Sequence, residues 1–176
     1  MIKSSERGFA LIDVLFVCGI IGILAIIAMP RMLLAKQSAG AASAIGSLRA
    51  INSGELTYAI TCGSGFYAPS LTTLGTAPAG SNEGYITPIL GVADTVTHSG
   101  YIVRLEGMPY AGAPPSCNGL EGGEGARGFK AAADPTGAAS SRYFASNANL
   151  AIVEHTASLW AAMPEVGDPS AGHPLR

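Results

Sequence analysis

The sequence predicts an α+β protein in which one long N-terminal helix packs on a small antiparallel β-sheet. Three observations predict this fold. Residues 9–29 form an apolar run in which Asp13 is the only charged residue. An apolar stripe at helical spacing then continues to about residue 60. Short segments with the composition of β-strands follow between residues 101 and 154.

The apolar run is long enough to cross a membrane. Its 21 residues would form a helix of about 30 Å, the thickness of a bilayer core. A lone carboxylate in such a helix is costly unless something compensates its charge. A cut between Gly8 and Phe9 would create an amine four residues before Asp13. That amine could pair with the carboxylate of a neighbouring helix or of its own.

The residues of this stretch also carry a family resemblance. Residues 7–15 read Arg-Gly-Phe-Ala-Leu-Ile-Asp-Val-Leu, and Gly22 and Pro30 follow. Together they resemble the N-terminal segment of type IV pilins and type II secretion pseudopilins, and the fold expected is therefore pilin-like. The family usually has Glu where this chain has Asp13, which keeps the charge on a side chain one methylene shorter.

The resemblance implies the roles of five residues. A prepilin peptidase would cut after Gly8, and the new first residue, Phe9, would be N-methylated. Asp13 would set the registry between packed helices during filament assembly. The segment from Gly22 to Pro30 would loosen when subunits leave the membrane. A secretory signal peptide or a plain single-pass anchor are the alternatives, but neither explains Gly8, Asp13 and Pro30 together.

The chain divides into six predicted segments: 1–8 as a cleaved leader, 9–30 as the transmembrane and assembly helix, 31–62 as the amphipathic half of that helix, 63–100 as an αβ loop, 101–156 as the antiparallel sheet region, and 157–176 as a C-terminal tail. The amphipathic half has an apolar stripe that should lie on the sheet. The stripe is made of Leu34, Ala41, Ile45, Leu48 and Ile51. The run Cys62-Gly63-Ser64-Gly65 should end the helix.

The rest of the chain predicts three or four strands. Residues 101–105 alternate, so that Tyr101, Val103 and Leu105 share one face. Further strands are expected at 129–133, 142–146 and 150–154, and Tyr85-Ile86-Thr87 could add a short one. The tail should be anchored by Leu159 and Trp160, with a mobile end.

The predicted membrane topology decides whether the cysteines after the apolar run can form a disulfide. Lys3 and Arg7 precede the apolar run, which favours a cytoplasmic N-terminus and places the later residues in an oxidising space. Two cysteines there, Cys62 and Cys117, are more often paired than free, and a disulfide between them is predicted. Two unpaired thiols remain the alternative. Cys18, inside the apolar run, is interpreted as a small hydrophobic residue.

Composition and motifs give no support for chemistry on a substrate. The net charge of −2 is no electrostatic footprint for nucleic acid. Gly122-Gly123-Glu124-Gly125 lacks the strand, helix and lysine of a phosphate-binding loop. The three histidines are isolated in sequence, and no metal site or cofactor is predicted. Calcium binding stays open as a lesser alternative at loop acids, although no loop of alternating acids is present; these acids are Glu83, Asp94, Asp134 and Asp168. The chain is therefore not expected to be an enzyme.

The function expected from the resemblance is structural. The chain would be a subunit of a type IV pilus-like or type II secretion pseudopilus filament, made as a membrane-inserted prepilin. Its partners would be further copies of itself, other pilins, the prepilin peptidase and an inner-membrane assembly platform. It would sit in the bacterial inner membrane as a single-pass protein before it enters a periplasmic or extracellular filament. The alternative is a minor tip or priming pilin that acts as a membrane-anchored binding module.

Overall fold

A computed structural model of the chain describes residues 11–137 and 140–175. The long helix α1 extends over Leu11–Thr61, contains Pro30, and ends at the predicted breaker. The chain forms two compact units that divide between Ser38 and Ala39. We call residues 11–38 the stem, residues 39–61 the packed half of α1, and residues 39–175 the globular unit.

Two short helices follow α1. Helix α2 covers Leu71–Gly75, and Ser70 caps it by accepting a hydrogen bond from the Thr73 backbone N–H. Helix α3 covers Pro88–Gly91 and starts with a proline, whose missing N–H is not needed there. The predicted short strand at 85–87 is wrong, because these residues form a bend that leads into α3.

The described residues form one antiparallel sheet of six strands in sequential order. The strands are β1 (Thr95–His98), β2 (Tyr101–Glu106), β3 (Lys130–Pro135), β4 (Tyr143–Asn147), β5 (Val153–His155) and β6 (His173–Pro174). The four central strands fall where the sequence predicts them, within a few residues. Strands β1 and β6 are missed, because one lies in the predicted loop region and the other in the predicted tail.

The inner face of the sheet packs on α1. Tyr101, Val103 and Leu105 are buried on this face, as their alternation predicts. The packed half contributes Ala41, Ala44, Leu48 and Ile51 to the same core. Leu34, the first residue of the predicted stripe, is instead exposed and belongs to the stem. The stripe therefore meets the core only from about residue 41 onward.

The outer face of the sheet is covered by the C-terminal segment. Leu159 and Met163 are buried there against Ala132, Ala145 and Val153. Strand β3 is covered on both sides, which explains its run of small alanines: a larger residue would push one layer away. Anchoring by Leu159 and Trp160 is confirmed. The tail also reaches the edge of the sheet, where β6 pairs with β5 through His173 and Pro174; the mobility of its end stays a prediction.

A polar link fixes the position of the helix on the sheet. The Asn52 side chain donates to the Leu150 carbonyl oxygen at 3.1 Å and accepts from the Ser146 hydroxyl at 2.9 Å. Ser146 is on β4 and Leu150 is in the following turn. All the polar atoms of this amide are turned to specific partners, so a sliding of the helix would leave them unsatisfied.

Candidate functional site: an exposed apolar stem and a loop groove

The stem is an apolar helix without cover in the isolated chain. Its large apolar side chains from Leu11 to Leu34 are all at least 44% exposed. They surround the helix on every side instead of forming one stripe. A helix that is apolar all round is stable only inside a membrane or among other apolar helices. By length and composition, α1 contains a segment able to cross a membrane.

The predicted assembly residues lie along this stem. Asp13 is exposed, and no ion pair involves it in the described part of the chain. Gly22 has open space around it, with no atom within 4 Å of a Cβ placed there. Pro30 lies inside α1. The predicted cleavage and methylation residues, Gly8 and Phe9, lie outside the described residues.

The globular unit contains the disulfide that the sequence predicts. Cys62 and Cys117 are joined, which fastens the end of α1 to the loop between β2 and β3. The Tyr85 hydroxyl lies 3.5 Å from the Cys117 sulfur. The cross-link closes a segment of 55 residues. It therefore restrains the αβ loop as well as the helix end.

A buried carboxyl lies beneath the same loop, and the sequence analysis missed it. Glu55 is fully buried, and its Oε2 accepts a hydrogen bond from the Ala68 backbone N–H at 2.9 Å. Its Oε1 and the Tyr58 hydroxyl have no hydrogen-bond partner among the described residues. Burial raises the pKa of Glu55 well above its usual value. The available signal was its spacing, one turn from Ile51 and one from Tyr58, which places it on the buried face.

An open groove runs between the packed half of α1 and residues 82–92. We call it the loop groove; its volume is about 830 Å³. Part of its lining is backbone, because Gly75 lies too close to Gly84 and to Gly91 for side chains at these positions. A Cβ on Gly84 would lie 2.2 Å from the Gly75 carbonyl oxygen, and one on Gly75 would lie 2.6 Å from the Gly91 Cα. Glu83 and Val92 are on its lining.

The ion pairs found among the described residues of the globular unit lie in its sheet or directly beside it. Arg104 pairs with Asp134, Lys130 with Glu106, and Arg142 with Glu154. Trp160 lies beneath two of these cations, with the Arg104 guanidinium 4.6 Å and the Lys130 ammonium 4.7 Å from its ring centre. These contacts hold the C-terminal segment on the outer face of the sheet.

The described residues contain no cluster of three or more His, Cys, Asp or Glu side chains suited to a metal ion. The described residues instead offer two surfaces, an uncovered apolar stem and an open groove partly lined by backbone. Comparison with known proteins adds no relative, because no family model, no curated protein and no solved structure matches the chain.

Proposed function

We propose that this chain is a structural subunit of a type IV pilus-like or type II secretion pseudopilus filament. The precursor enters the bacterial inner membrane with its N-terminus in the cytoplasm. A prepilin peptidase cuts it after Gly8, Phe9 is methylated, and the stem then packs among the stems of other subunits. The globular unit lies outside this bundle of helices.

One observation carries the proposal: the stem is apolar on every side and uncovered, while the packed half of the same helix is covered by a sheet. A membrane can cover the stem before assembly, and other stems can cover it afterwards. The N-terminal sequence pattern, the disulfide and the α+β architecture support the same function. Asp13 is the charge that would need a partner in either environment, and the amine of a processed Phe9 could supply it.

N-terminal sequencing of the mature protein tests the processing step. A cut after Gly8 gives a chain that begins at Phe9, with a mass increase of one methyl group. The matched control is Gly8→Val, which should leave the leader attached and abolish filaments. A mature chain that begins at any other residue contradicts the proposal.

Replacement of Asp13 tests the assembly step. Asp13→Ala removes the charge, so we expect normal membrane insertion and a strong loss of filaments in the sheared fraction. Asp13→Glu is the control, because it keeps the charge and should assemble. Normal filament yield from Asp13→Ala would contradict the registry role of this residue.

A minor tip or priming pilin is the second candidate. The long loop between β2 and β3 favours it, since it presents the exposed side chains of Met108 and Tyr110. Abundance separates the two candidates. A major subunit dominates a sheared-filament preparation, whereas a tip subunit is present at a small fraction of the other pilins.

A further inference from the structure

The charges of this chain are segregated between helix and globular unit. From residue 14 to residue 54 the sequence has three cationic residues and no acidic one. These residues are Arg31, Lys36 and Arg49; all are exposed, and none forms an ion pair within the described residues. Most carboxylates after residue 54 have a cation or a hydrogen-bond donor. Glu83, Glu121 and Asp168 are exceptions: they are exposed and have no cationic partner in the described chain. Of these three, Glu83 lines the loop groove.

Glu83 and an exposed apolar side chain both line the loop groove. The apolar side chain is that of Val92, which is 74% exposed. A groove whose lining contains an acid and an uncovered apolar side chain suits a ligand that is both cationic and apolar. A purely polar ligand would leave Val92 in water.

One face of the stem is both cationic and apolar. Lys36 is one helical turn from Met32 and Leu33, so the three side chains share a face of α1. Met32 and Leu33 are 70% and 62% exposed. The face lies just after the apolar run, where a helix that leaves a bilayer would meet the globular units of neighbouring subunits.

We propose that the loop groove of one copy binds the face of a second copy that carries Met32, Leu33 and Lys36. Met32 and Leu33 pack against Val92, and the Lys36 ammonium pairs with the Glu83 carboxylate. The contact rests on the proposed function, since it joins successive subunits of a filament. It is heterologous, because groove and face are different surfaces, and such contacts build open polymers.

Charge reversal in assembling cells tests the contact. The variants are Glu83→Lys, Lys36→Glu, the double variant that carries both, and Glu121→Lys as an exposed control acid outside the groove. The readout is sheared-filament yield divided by the amount of subunit in the membrane. Non-reducing gels verify in each variant that the Cys62–Cys117 disulfide, and hence the folded globular unit, has formed.

Each single reversal places like charges together, so we expect filament yield to fall about tenfold or more. The double variant restores opposite charges and should return to within about twofold of wild type, while Glu121→Lys assembles normally. Filaments from Glu83→Lys at wild-type yield would overturn the contact and leave the proposed function standing. Absence of wild-type filaments would overturn both. A loss with Lys36→Glu that Glu83→Lys neither reproduces nor repairs would assign Lys36 to anionic lipid headgroups and overturn the contact.

Discussion

The two parts of helix α1 differ in what covers them, although the backbone is helical throughout. In the stem, Leu24 is 61% exposed. In the packed half, Leu48 is 0% exposed. Two leucines on one helix thus have opposite environments, because only the packed half has a sheet beside it.

The difference follows from the residues around each leucine. The packed half has small residues on its inner side, such as Gly40, Ala41 and Ala44, and these let the sheet come close. The stem has branched and long apolar residues in every direction. The packed half is therefore adapted to one fixed neighbour, whereas the stem suits apolar surroundings on every side.

The largest loss of stability is expected from removal of the disulfide that holds the end of the packed half. Replacement of Cys62 and Cys117 by Ser removes a cross-link over 55 residues. The chain-entropy model gives a loss of about 4 kcal/mol in the free energy of unfolding. Denaturant unfolding of the full-length protein in detergent, followed by near-ultraviolet circular dichroism, measures it. An unchanged midpoint would mean that the αβ loop is held without the disulfide.

A matched pair of leucine truncations tests the comparison itself. Leu48→Ala should lower the free energy of unfolding by about 3 kcal/mol, because it leaves a cavity in the core. Leu24→Ala should change it by less than about 0.5 kcal/mol, since that side chain contacts no core residue. The same unfolding experiment measures both. Equal losses from the two variants would contradict the division of the helix.

Two glycines of the packed half should respond in opposite directions to alanine. A Cβ on Gly54 would lie 2.8 Å from the Ile86 side chain, so we expect Gly54→Ala to destabilise the unit by about 1–3 kcal/mol. Gly46 has open space, and Gly46→Ala should stabilise the helix by up to about 1 kcal/mol. Thermal melts of the two variants show whether each substitution raises or lowers the stability. Stabilisation by both would mean that the αβ loop yields to the new methyl group.

The smallest expected effect concerns the pH dependence of stability, which Glu55 should influence. Burial raises the pKa of Glu55 in the folded state, so the folded chain keeps this proton at pH values where the unfolded chain has lost it. The stability that the protonated group contributes is complete below the unfolded pKa and is lost as pH rises through the folded pKa. Glu55→Gln keeps an acceptor for the Ala68 N–H and removes the titration. The wild type should therefore lose stability relative to this variant as pH rises from 4 to 8.

Unfolding titrations of both chains across this range provide the measurement. Parallel pH profiles for wild type and Glu55→Gln would contradict a neutral buried carboxyl. The neighbouring Ala68 N–H offers a local probe, because its protection factor, which corrects for the intrinsic pH dependence of exchange, should fall at high pH in the wild type alone.

Local pattern predicted the parts of the fold that depend on periodicity. The alternation of Tyr101, Val103 and Leu105 marked the buried face of β2, and the breaker after Thr61 marked the end of α1. Strands β1 and β6 could not be predicted this way. Residues 173–174 have no strand composition, and they are extended because the edge of β5 offers them hydrogen bonds.

The candidate surfaces were predictable to different degrees. The stem was evident, because an apolar run of that length has few structural interpretations. The loop groove was not, since it depends on three glycines that are distant in sequence and meet only in the fold. The burial of Glu55 was likewise hidden, because a charged residue on an amphipathic helix is ordinarily assigned to solvent.

The contact between the groove glycines has a consequence for engineering. Because Gly75 packs against Gly84 and Gly91 through main-chain atoms, this part of the groove wall is set by backbone geometry. The lining can then be redesigned at Glu83 and Val92 without changing that contact. A library confined to these two positions would alter binding preference while the glycine contact stays constant.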